Sequence, residues 1–305
     1  MGVFALSREE KFFHNSWERD TMIDILLKID TQYSHLTPSA RKIADYIRSH
    51  WRQAPYQSIS DLAGECGVGE ATIFRFCKQL GFGGYNEFRL ALAKAGTAKK
   101  NEQPYTAYGK VTDEDSVAEM CQKLYSANRD ALEQTLSMTD ETSIRMAVQW
   151  LLDANRVFCC GQGGGLLAAM EAWSRFANTS PKFFVVEDLH MQILTASLLS
   201  EQDVVLYMSY SGSTLDAKNV LEPARARGAK VILVTHFPNS PTTHLADLVL
   251  FCGGSEGPLQ SGSIAARMAM LFVVDILVNE FCRRDIQTTI KNKDITANAL
   301  STRHI

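Results

Sequence analysis

The chain has 305 residues, of which 46% are hydrophobic and 21% charged, and its formal net charge is −3. This length favours two domains over one, and the composition is that of an ordinary globular protein with enough apolar residues for a sizeable core. The longest apolar stretch, Ile264 to Val278, contains Arg267 and Asp275, so no run of about 18 uncharged apolar residues occurs. The N-terminus lacks the apolar segment of a signal peptide, and the sequence predicts a cytoplasmic protein without membrane spans.

Seven cysteines occur, and none of them forms a CxxC pair or has a histidine at zinc-ligand spacing. An odd number of cysteines in a cytoplasmic protein predicts reduced thiols in the core. The sequence therefore predicts neither a metal site nor any other cofactor.

Charge is unevenly distributed along the chain. Residues 21–100 carry eleven Lys and Arg against seven Asp and Glu, whereas residues 101–305 have a net charge of −6. A polar stretch with Pro104 and Gly109 separates the two parts. The predicted organisation is an N-terminal extension (1–20), a helix-turn-helix domain (21–97), a linker (98–115), an α/β domain (116–285) and a C-terminal tail (286–305).

The basic segment shows the start and stop signals of short helices. Thr37 and Pro38 provide an N-cap and a first helical residue, and Ser60 is the predicted cap of the second helix. Gly67 to Gly69 predict a tight turn, and a third helix follows until Gly81. Two short helices joined by a glycine turn are typical of a helix-turn-helix.

The third helix sorts its side chains into two faces. The apolar positions follow helical spacing and predict a buried face: Ile73, Phe76, Cys77 and Leu80. The other face suits a DNA major groove, where arginine pairs with guanine, glutamine pairs with adenine and lysine contacts phosphates. With one serine from the preceding helix, the predicted DNA-binding residues are Ser60, Thr72, Arg75, Lys78 and Gln79. The alternative interpretation is a small three-helix packing module with a solvated polar face.

From residue 116 onward, two helices are followed by apolar strands that alternate with helices. The predicted strands are 156–161, 182–187, 203–209, 230–236 and 248–251. A helix is predicted after each strand, including residues 240–248 and the long apolar helix 264–282. The expected fold is therefore an all-α helix-turn-helix domain followed by an α/β domain with a doubly wound parallel sheet. In such sheets, ligands bind beyond the carboxyl ends of the strands.

The first loop at that edge, "GQGGG", is rich in glycine. Its candidate site residues are Gly161, Gly163, Gly164 and Gly165. The third glycine of a dinucleotide-binding fingerprint would fall at Leu166, which disfavours NAD binding.

The second loop lies between a predicted strand and a predicted helix. It gathers four hydroxyls around one glycine: Ser209, Ser211, Gly212, Ser213 and Thr214. Unpaired N–H groups at a helix N-terminus attract anions, hydroxyls add donors without charge, and glycine lets the backbone approach closely. We therefore predict a neutral phosphate cradle. The alternative is a capped helix with surplus serines, and the absence of a GKS or GKT sequence excludes a nucleotide P-loop.

Both parts of the chain resemble one known family. The stretch "SYSGST" (209–214) is similar to the S-x-S-G-x-T signature of SIS (sugar isomerase) domains, which bind phosphosugars. Residues 62–92 resemble the helix-turn-helix of RpiR-family bacterial transcription regulators, and residues 187–212 resemble the SIS segment of that family. The resemblance covers roughly residues 21–285, with both motifs in the right order.

The resemblance implies a dimeric or tetrameric regulator with one domain on double-stranded operator DNA. Its SIS-like domain would sense a phosphorylated sugar and govern genes of carbohydrate or amino-sugar metabolism. By the resemblance, Ser209, Ser211 and Thr214 hold the phosphate, and Gly161 to Gly165 form the facing loop. Family members often have serine where this chain has Gly165, and usually have serine where it has Gly69. One expected phosphate hydroxyl is therefore absent.

SIS domains also occur in aldose–ketose isomerases, which need a base and often a histidine for ring opening. The candidate residues are Glu256, Glu187, His190 and His236. Glu256 and His190 could equally contact the sugar, and we include both in the predicted phosphosugar site. The prediction is a ligand-responsive DNA-binding regulator and not an enzyme, and the alternative is a sugar-phosphate aldose–ketose isomerase.

Overall fold

The computed structural model describes residues 25, 26, 28–51, 53–97, 111–254, 256 and 263–301. Contacts divide the chain into two compact units, with the main boundary between Met120 and Cys121. The predicted extension 1–20 lies outside the described residues, as do residues 98–110 of the predicted linker.

The first unit is helical. Residues 25, 26 and 28–32 are helical, and four helices follow them: α1 (Pro38–His50), α2 (Ile59–Cys66), α3 (Glu70–Gln79) and α4 (Tyr85–Thr97). As predicted, Thr37 caps α1, because its Oγ1 accepts a hydrogen bond from the N–H of Ala40 at 3.3 Å, and Pro38 occupies the first turn. The buried face of α3 is also confirmed, since Ile73, Phe76 and Cys77 are at most 1% exposed.

The cap of α2 is Ser58 and not the predicted Ser60. Ser58 Oγ accepts from the N–H of Asp61 at 3.0 Å, and the Asp61 carboxylate accepts from the N–H of Ser58 at 3.2 Å. This reciprocal arrangement needs an acidic residue three positions after the cap, and Ser60 has Ala63 there. Gly67 then ends α2 in the left-handed conformation with φ 59°, so the predicted glycine turn is confirmed.

The second unit is an α/β fold. Two helices, α5 (Val117–Met138) and α6 (Glu141–Asp153), precede the sheet. The strands are β1 (Val157–Gly161), β2 (Phe183–Val185), β3 (Val204–Met208), β4 (Lys230–Thr235) and β5 (Leu248–Phe251). Three helices lie between strands: α7 (Gly164–Ala177), α8 (Leu189–Ser197) and α9 (Leu215–Ala226). Two more follow β5: α10 (Ile264–Arg284) and α11 (Ile286–Ser301).

All strand pairs are parallel, and the strand order is β2-β1-β3-β4-β5. Side chains of β3 alternate between two cores, with Leu206 and Met208 in one and Val205 and Tyr207 in the other. Residues of α6, α7 and α10 fill the first core, and residues of α8 and α9 fill the second. The predicted doubly wound sheet is therefore confirmed.

One helix prediction was wrong. The segment after β4 forms only a short 3₁₀ turn, Thr243–Leu245, and not the helix predicted over 240–248. The chain returns early to the sheet, because Asp247 accepts from the N–H of Val231 at 2.8 Å and donates its own N–H to the Val231 carbonyl. The predicted tail 286–305 contains α11, whose apolar residues Ile290 and Ile295 are about half exposed.

All seven cysteines are free thiols, and five of them are buried in the cores. Burial raises the pKa of Cys159 to about 12 and that of Cys66 to about 11, so both thiols are protonated at neutral pH. The prediction of core thiols is wrong for Cys121, which is exposed on α5. Among the described residues, no helix is long and apolar enough to cross a membrane.

Candidate functional sites

The outer surface of α3 is the first candidate site. Arg75, Lys78 and Gln79 are exposed, and Thr72 is half-buried beside them. Arg75 lies along its own helix, where Nε donates to the Ala71 carbonyl at 3.2 Å and Nη2 donates to Thr72 Oγ1 at 3.4 Å. Neither Arg75 nor Lys78 forms an ion pair with a carboxylate in the described part of the chain. This surface therefore offers two cations that a polyanion could neutralise.

Ser60 differs from the other predicted DNA contacts, because its hydroxyl already has a carboxylate partner. Its hydroxyl donates a hydrogen bond to the carboxylate of Glu70, the first residue of α3. The partial positive charge at the N-terminus of α3 favours this carboxylate. A DNA phosphate at Ser60 would have to displace Glu70, so Ser60 is the weakest of the predicted DNA contacts.

The glycine loop at the end of β1 is the first part of the second candidate site. Gly161 pairs with Met208 across the sheet, and a Cβ on Gly161 would lie 2.7 Å from the Met208 carbonyl oxygen. A Cβ on Gly165 would overlap the same oxygen. Gly163, at φ 55°, precedes the first residue of α7. Glycine thus lets the N-terminus of α7 press against the carboxyl end of β3.

The hydroxyl turn after β3 faces the same edge of the sheet. Gly212 has φ 57°, and a Cβ there would overlap the Ser240 side chain. Its N–H donates to Ser209 Oγ at 3.2 Å, while its carbonyl accepts from the N–H and the hydroxyl of Thr242 at 3.0 and 2.7 Å. Thr214 Oγ1 accepts from the N–H of Ala217 at 3.3 Å and so caps α9. These bonds fix the turn.

The fixed turn still presents hydroxyl donors. Ser209 and Thr214 use only their acceptor capacity in the turn, so their O–H groups remain able to donate. Ser211 and Ser213 are partly exposed, and their side chains form no hydrogen bond within the described residues. The turn therefore combines hydroxyl donors with the N-terminus of α9, an arrangement that suits an oxyanion.

A cation that the sequence analysis did not include lies beside the glycine loop. Arg267, in the first turn of α10, places Nη2 3.9 Å from the position of a Cβ on Gly164. Its Nε is buried and has no hydrogen-bond partner among the residues that the structure describes. In the sequence, Arg267 is visible only as a charged residue within an apolar stretch. The fold brings its guanidinium next to the glycine loop.

Gln192 is another residue that sequence reasoning missed. It is fully buried, and its Nε2 donates to the carbonyls of Gly161 and Val186 at 3.2 and 2.8 Å. Its Oε1 accepts from Gln162 Nε2 at 2.9 Å. Gln192 therefore connects the glycine loop to the chain after β2. The feature of the sequence that could have identified it is a polar residue at a helix position that is buried.

The four candidate acid–base residues have different surroundings. His236 follows β4, stacks on Tyr210 with ring centroids 5.0 Å apart, and has Nδ1 2.8 Å from the Cys252 carbonyl. This carbonyl can only accept, so Nδ1 carries the proton. His190 and Glu187 are solvent-exposed around the start of α8, and Glu256 is partly exposed two residues after Gly254. Exposed groups lack the dry surroundings that tune a catalytic base.

Two protein-domain families match the two units. The helix-turn-helix domain of the rpiR family matches residues 23–99, and the SIS domain matches residues 150–280. An uncharacterized HTH-type transcriptional regulator of Caldanaerobacter subterraneus is 30% identical over 93% of this chain and 99% of its own length. Another, from Haemophilus influenzae, is 30% identical over 91% of this chain and 96% of its own.

Solved structures agree with these matches. The Vibrio vulnificus NanR protein complexed with ManNAc-6P is similar with a TM-score of 0.81 and 25% identity, over 92% of this chain and 98% of that one. The sugar isomerase domain of an RpiR transcription factor from Sphaerobacter thermophilus has a TM-score of 0.54 at 20% identity, over 59% of this chain and 98% of its own. The second likeness shows the fold of the α/β unit.

Proposed function

The chain belongs to the RpiR family of helix-turn-helix transcriptional regulators, and we propose that a phosphorylated sugar in its SIS domain controls its binding to operator DNA. Relatives at 30% identity are named as regulators and not as enzymes. We assign residues 21–97 to DNA binding and residues 116–285 to sugar binding.

One observation carries the sugar-phosphate proposal. The hydroxyls of Ser209, Ser211 and Thr214 lie in the turn between β3 and α9, at the same sheet edge as the glycine loop beside Arg267. Several hydrogen-bond donors and a nearby cation both favour a phosphate dianion, and this edge carries both. Gly161 and Gly165 hold the loop against β3, whereas Gly163 and Gly164 leave the backbone open for a phosphate to approach. Gly212 and Ser213 complete the turn.

The rest of the ligand would extend toward the chain that follows β4 and β5. Glu256, after β5, and His190, after β2, are the proposed contacts with sugar hydroxyls. His236 follows β4, where it contacts Tyr210 and Cys252. The likeness to a NanR protein complexed with ManNAc-6P supports ManNAc-6P as the first ligand to test. Genes of carbohydrate or amino-sugar metabolism are the proposed targets.

On the DNA side, α3 is the proposed recognition helix. Arg75 and Gln79 would read base edges, whereas Lys78, Thr72 and Ser60 would contact phosphates or bases beside them. A homodimer or homotetramer would place two such helices on half-sites about 10 base pairs apart, or a multiple of that spacing. The sugar phosphate would act through different affinities for the DNA-competent and DNA-incompetent states.

Fluorescence anisotropy with purified full-length protein tests this function. The probes are DNA from upstream of the gene and neighbouring operons, with scrambled DNA as control, and titrations run with and without ManNAc-6P and other sugar phosphates. We expect sequence-specific binding that one sugar phosphate shifts. An Arg75→Ala variant should lose affinity for the specific DNA and keep the same affinity for the sugar phosphate. Equal binding to both DNAs and no effect of any sugar phosphate would contradict the proposal.

A further inference from the structure

The recognition helix α3 carries a large apolar side chain on its solvent side. Phe74 is 45% exposed, although the other phenylalanine of this helix, Phe76, is 1% exposed. Residues Ala71, Phe74, Arg75 and Lys78 follow i, i+3, i+4 and i+7 spacing, and all four are exposed. Phe74 therefore lies on the same exposed face of α3 as the cations Arg75 and Lys78.

The Phe74 ring is held in place on this face. A Cβ on Gly84 would lie 3.4 Å from Phe74 Cε2, so the ring rests on the turn that precedes α4. On the helix itself, Lys78 Nζ lies 5.5 Å from the ring centroid. A ring supported in this way loses little conformational freedom when a partner covers it.

The surroundings of the ring identify the kind of partner. Arg75 and Lys78 flank the ring and form no ion pair within the described residues, which favours a partner with many negative charges. A protein partner would bind more tightly if apolar residues surrounded the ring. On this four-residue face, however, Ala71 is the only other apolar residue. In the DNA major groove, the one apolar group on a base edge is the C5-methyl of thymine.

We propose that Phe74 is a specificity-determining residue that contacts a thymine methyl in the operator. The proposal rests on the proposed function of α3 as recognition helix. It goes further by naming thymine as the base that Phe74 recognises. Phosphate contacts from Lys78 would bring the ring to the groove, and the ring would then favour thymine over any base that lacks a methyl at that position.

Uracil is the matched probe, because it pairs like thymine and lacks only the methyl group. Full-length protein first selects duplexes from a random-sequence library. The best duplex is then resynthesised with deoxyuridine replacing thymidine at one position at a time, and affinities are measured by anisotropy. We expect one replacement per half-site to weaken binding about fourfold, the effect of burying one methyl group. In Phe74→Ala that replacement should have no effect.

Two further variants separate the ring from general damage. Phe74→Leu keeps an apolar side chain and should keep part of the thymine preference. Tyr56→Ala removes another aromatic residue, 44% exposed and outside α3, and should keep the whole preference.

Failure can take two distinct forms. If the wild-type protein selects no sequence from the library, the proposed function fails and the role of Phe74 fails with it. If a sequence is selected but Phe74→Ala retains the thymine preference, only the Phe74 proposal is overturned. A change of oligomeric state in Phe74→Ala with the thymine preference intact would assign the ring to a protein contact instead.

Discussion

The carbonyl oxygen of Met208 lies so close to Gly165 that a β carbon on residue 165 would overlap it. The contact joins the carboxyl end of β3 to the first turn of α7. The resemblance to the family predicts serine at this position, whereas this chain has glycine. Only glycine allows this close helix–strand contact, because no side chain fits between the two backbones.

We therefore predict that Gly165→Ser will not restore a phosphate contact. The substitution should lower the free energy of unfolding by about 2–3 kcal/mol, since the helix must move away from β3. Thermal unfolding measured by circular dichroism checks this prediction. Gly164→Ala is the matched control, because only Arg267 Nη2, at 3.9 Å, comes within 4 Å of a Cβ there. Equal stability of the two variants would mean that the Gly165 contact is not tight.

Much of this edge could be predicted from the sequence, and the reasons differ between residues. Strand ends such as Met208 are recognisable because buried parallel strands are continuous apolar runs. Ser211 and Thr214 are recognisable because hydroxyls cluster around a glycine at a strand-to-helix junction. Arg267 was not predictable, because it is 56 residues from Ser211 in sequence and only the packing of α10 brings it beside the glycine loop. Local signals also misplaced the cap at Ser60, because Ser58 and Ser60 are both good caps and the partner Asp61 decides between them.

Ser211 offers a test of the hydroxyl turn that does not depend on stability. Its side chain forms no hydrogen bond within the described residues, so Ser211→Ala should leave the fold unchanged. We expect its affinity for ManNAc-6P to fall about 10- to 100-fold, the effect of losing a hydrogen bond to a charged group. Isothermal titration calorimetry measures the change. Ser211→Asp should abolish binding by charge repulsion and leave DNA binding intact.

Ser213 is the matched control for Ser211. It belongs to the same turn and is also partly exposed, but it occupies a variable position of the S-x-S-G-x-T signature. Ser213→Ala should therefore lose less affinity than Ser211→Ala. Full sugar-phosphate response in Ser211→Asp would show that the hydroxyls serve only to cap α9.

Arg267 supplies the counter-charge of the proposed phosphate site. We expect Arg267→Gln to weaken ManNAc-6P binding at least tenfold and to reduce the dependence of affinity on salt concentration, because a cation has been removed. Arg267→Lys should keep part of the affinity, since it keeps the charge but loses the planar fork. Calorimetry at two salt concentrations distinguishes these outcomes.

The stability of the Arg267 variants is a separate readout. In the described part of the chain, Arg267 Nε is buried and has no hydrogen-bond partner. Its removal therefore breaks no hydrogen bond at that atom and should cost little folding free energy. Arg175→Gln is the control, because Arg175 pairs with Asp275 at 2.6 Å and both side chains are about half exposed. Unchanged affinity in Arg267→Gln would remove this residue from the site.

The opposite edge of the sheet contains a buried carboxylate that should make stability depend on pH. Asp203 is 1% exposed, and it accepts from Arg156 Nη2 at 2.8 Å and from the N–H and hydroxyl of Ser200 at 2.8 and 2.9 Å. Burial alone would raise the pKa of this carboxyl, but the hydrogen bonds from Arg156 and Ser200 together hold it below its usual value. The charged form is therefore the one that stabilises the fold.

Because the folded pKa of Asp203 is lowered, its contribution is present at neutral pH and is lost as the pH falls below about 4, the ordinary range of an aspartate. We expect Asp203→Asn to lower the free energy of unfolding by about 2 kcal/mol at pH 7, allowing for the solvent around half-exposed Arg156. Urea unfolding at several pH values should show this difference shrinking toward pH 3. Asp275→Asn, which breaks an exposed pair, should show little change at any pH. A difference between wild type and Asp203→Asn that stays constant from pH 7 to pH 3 would mean that the charge of Asp203 contributes nothing.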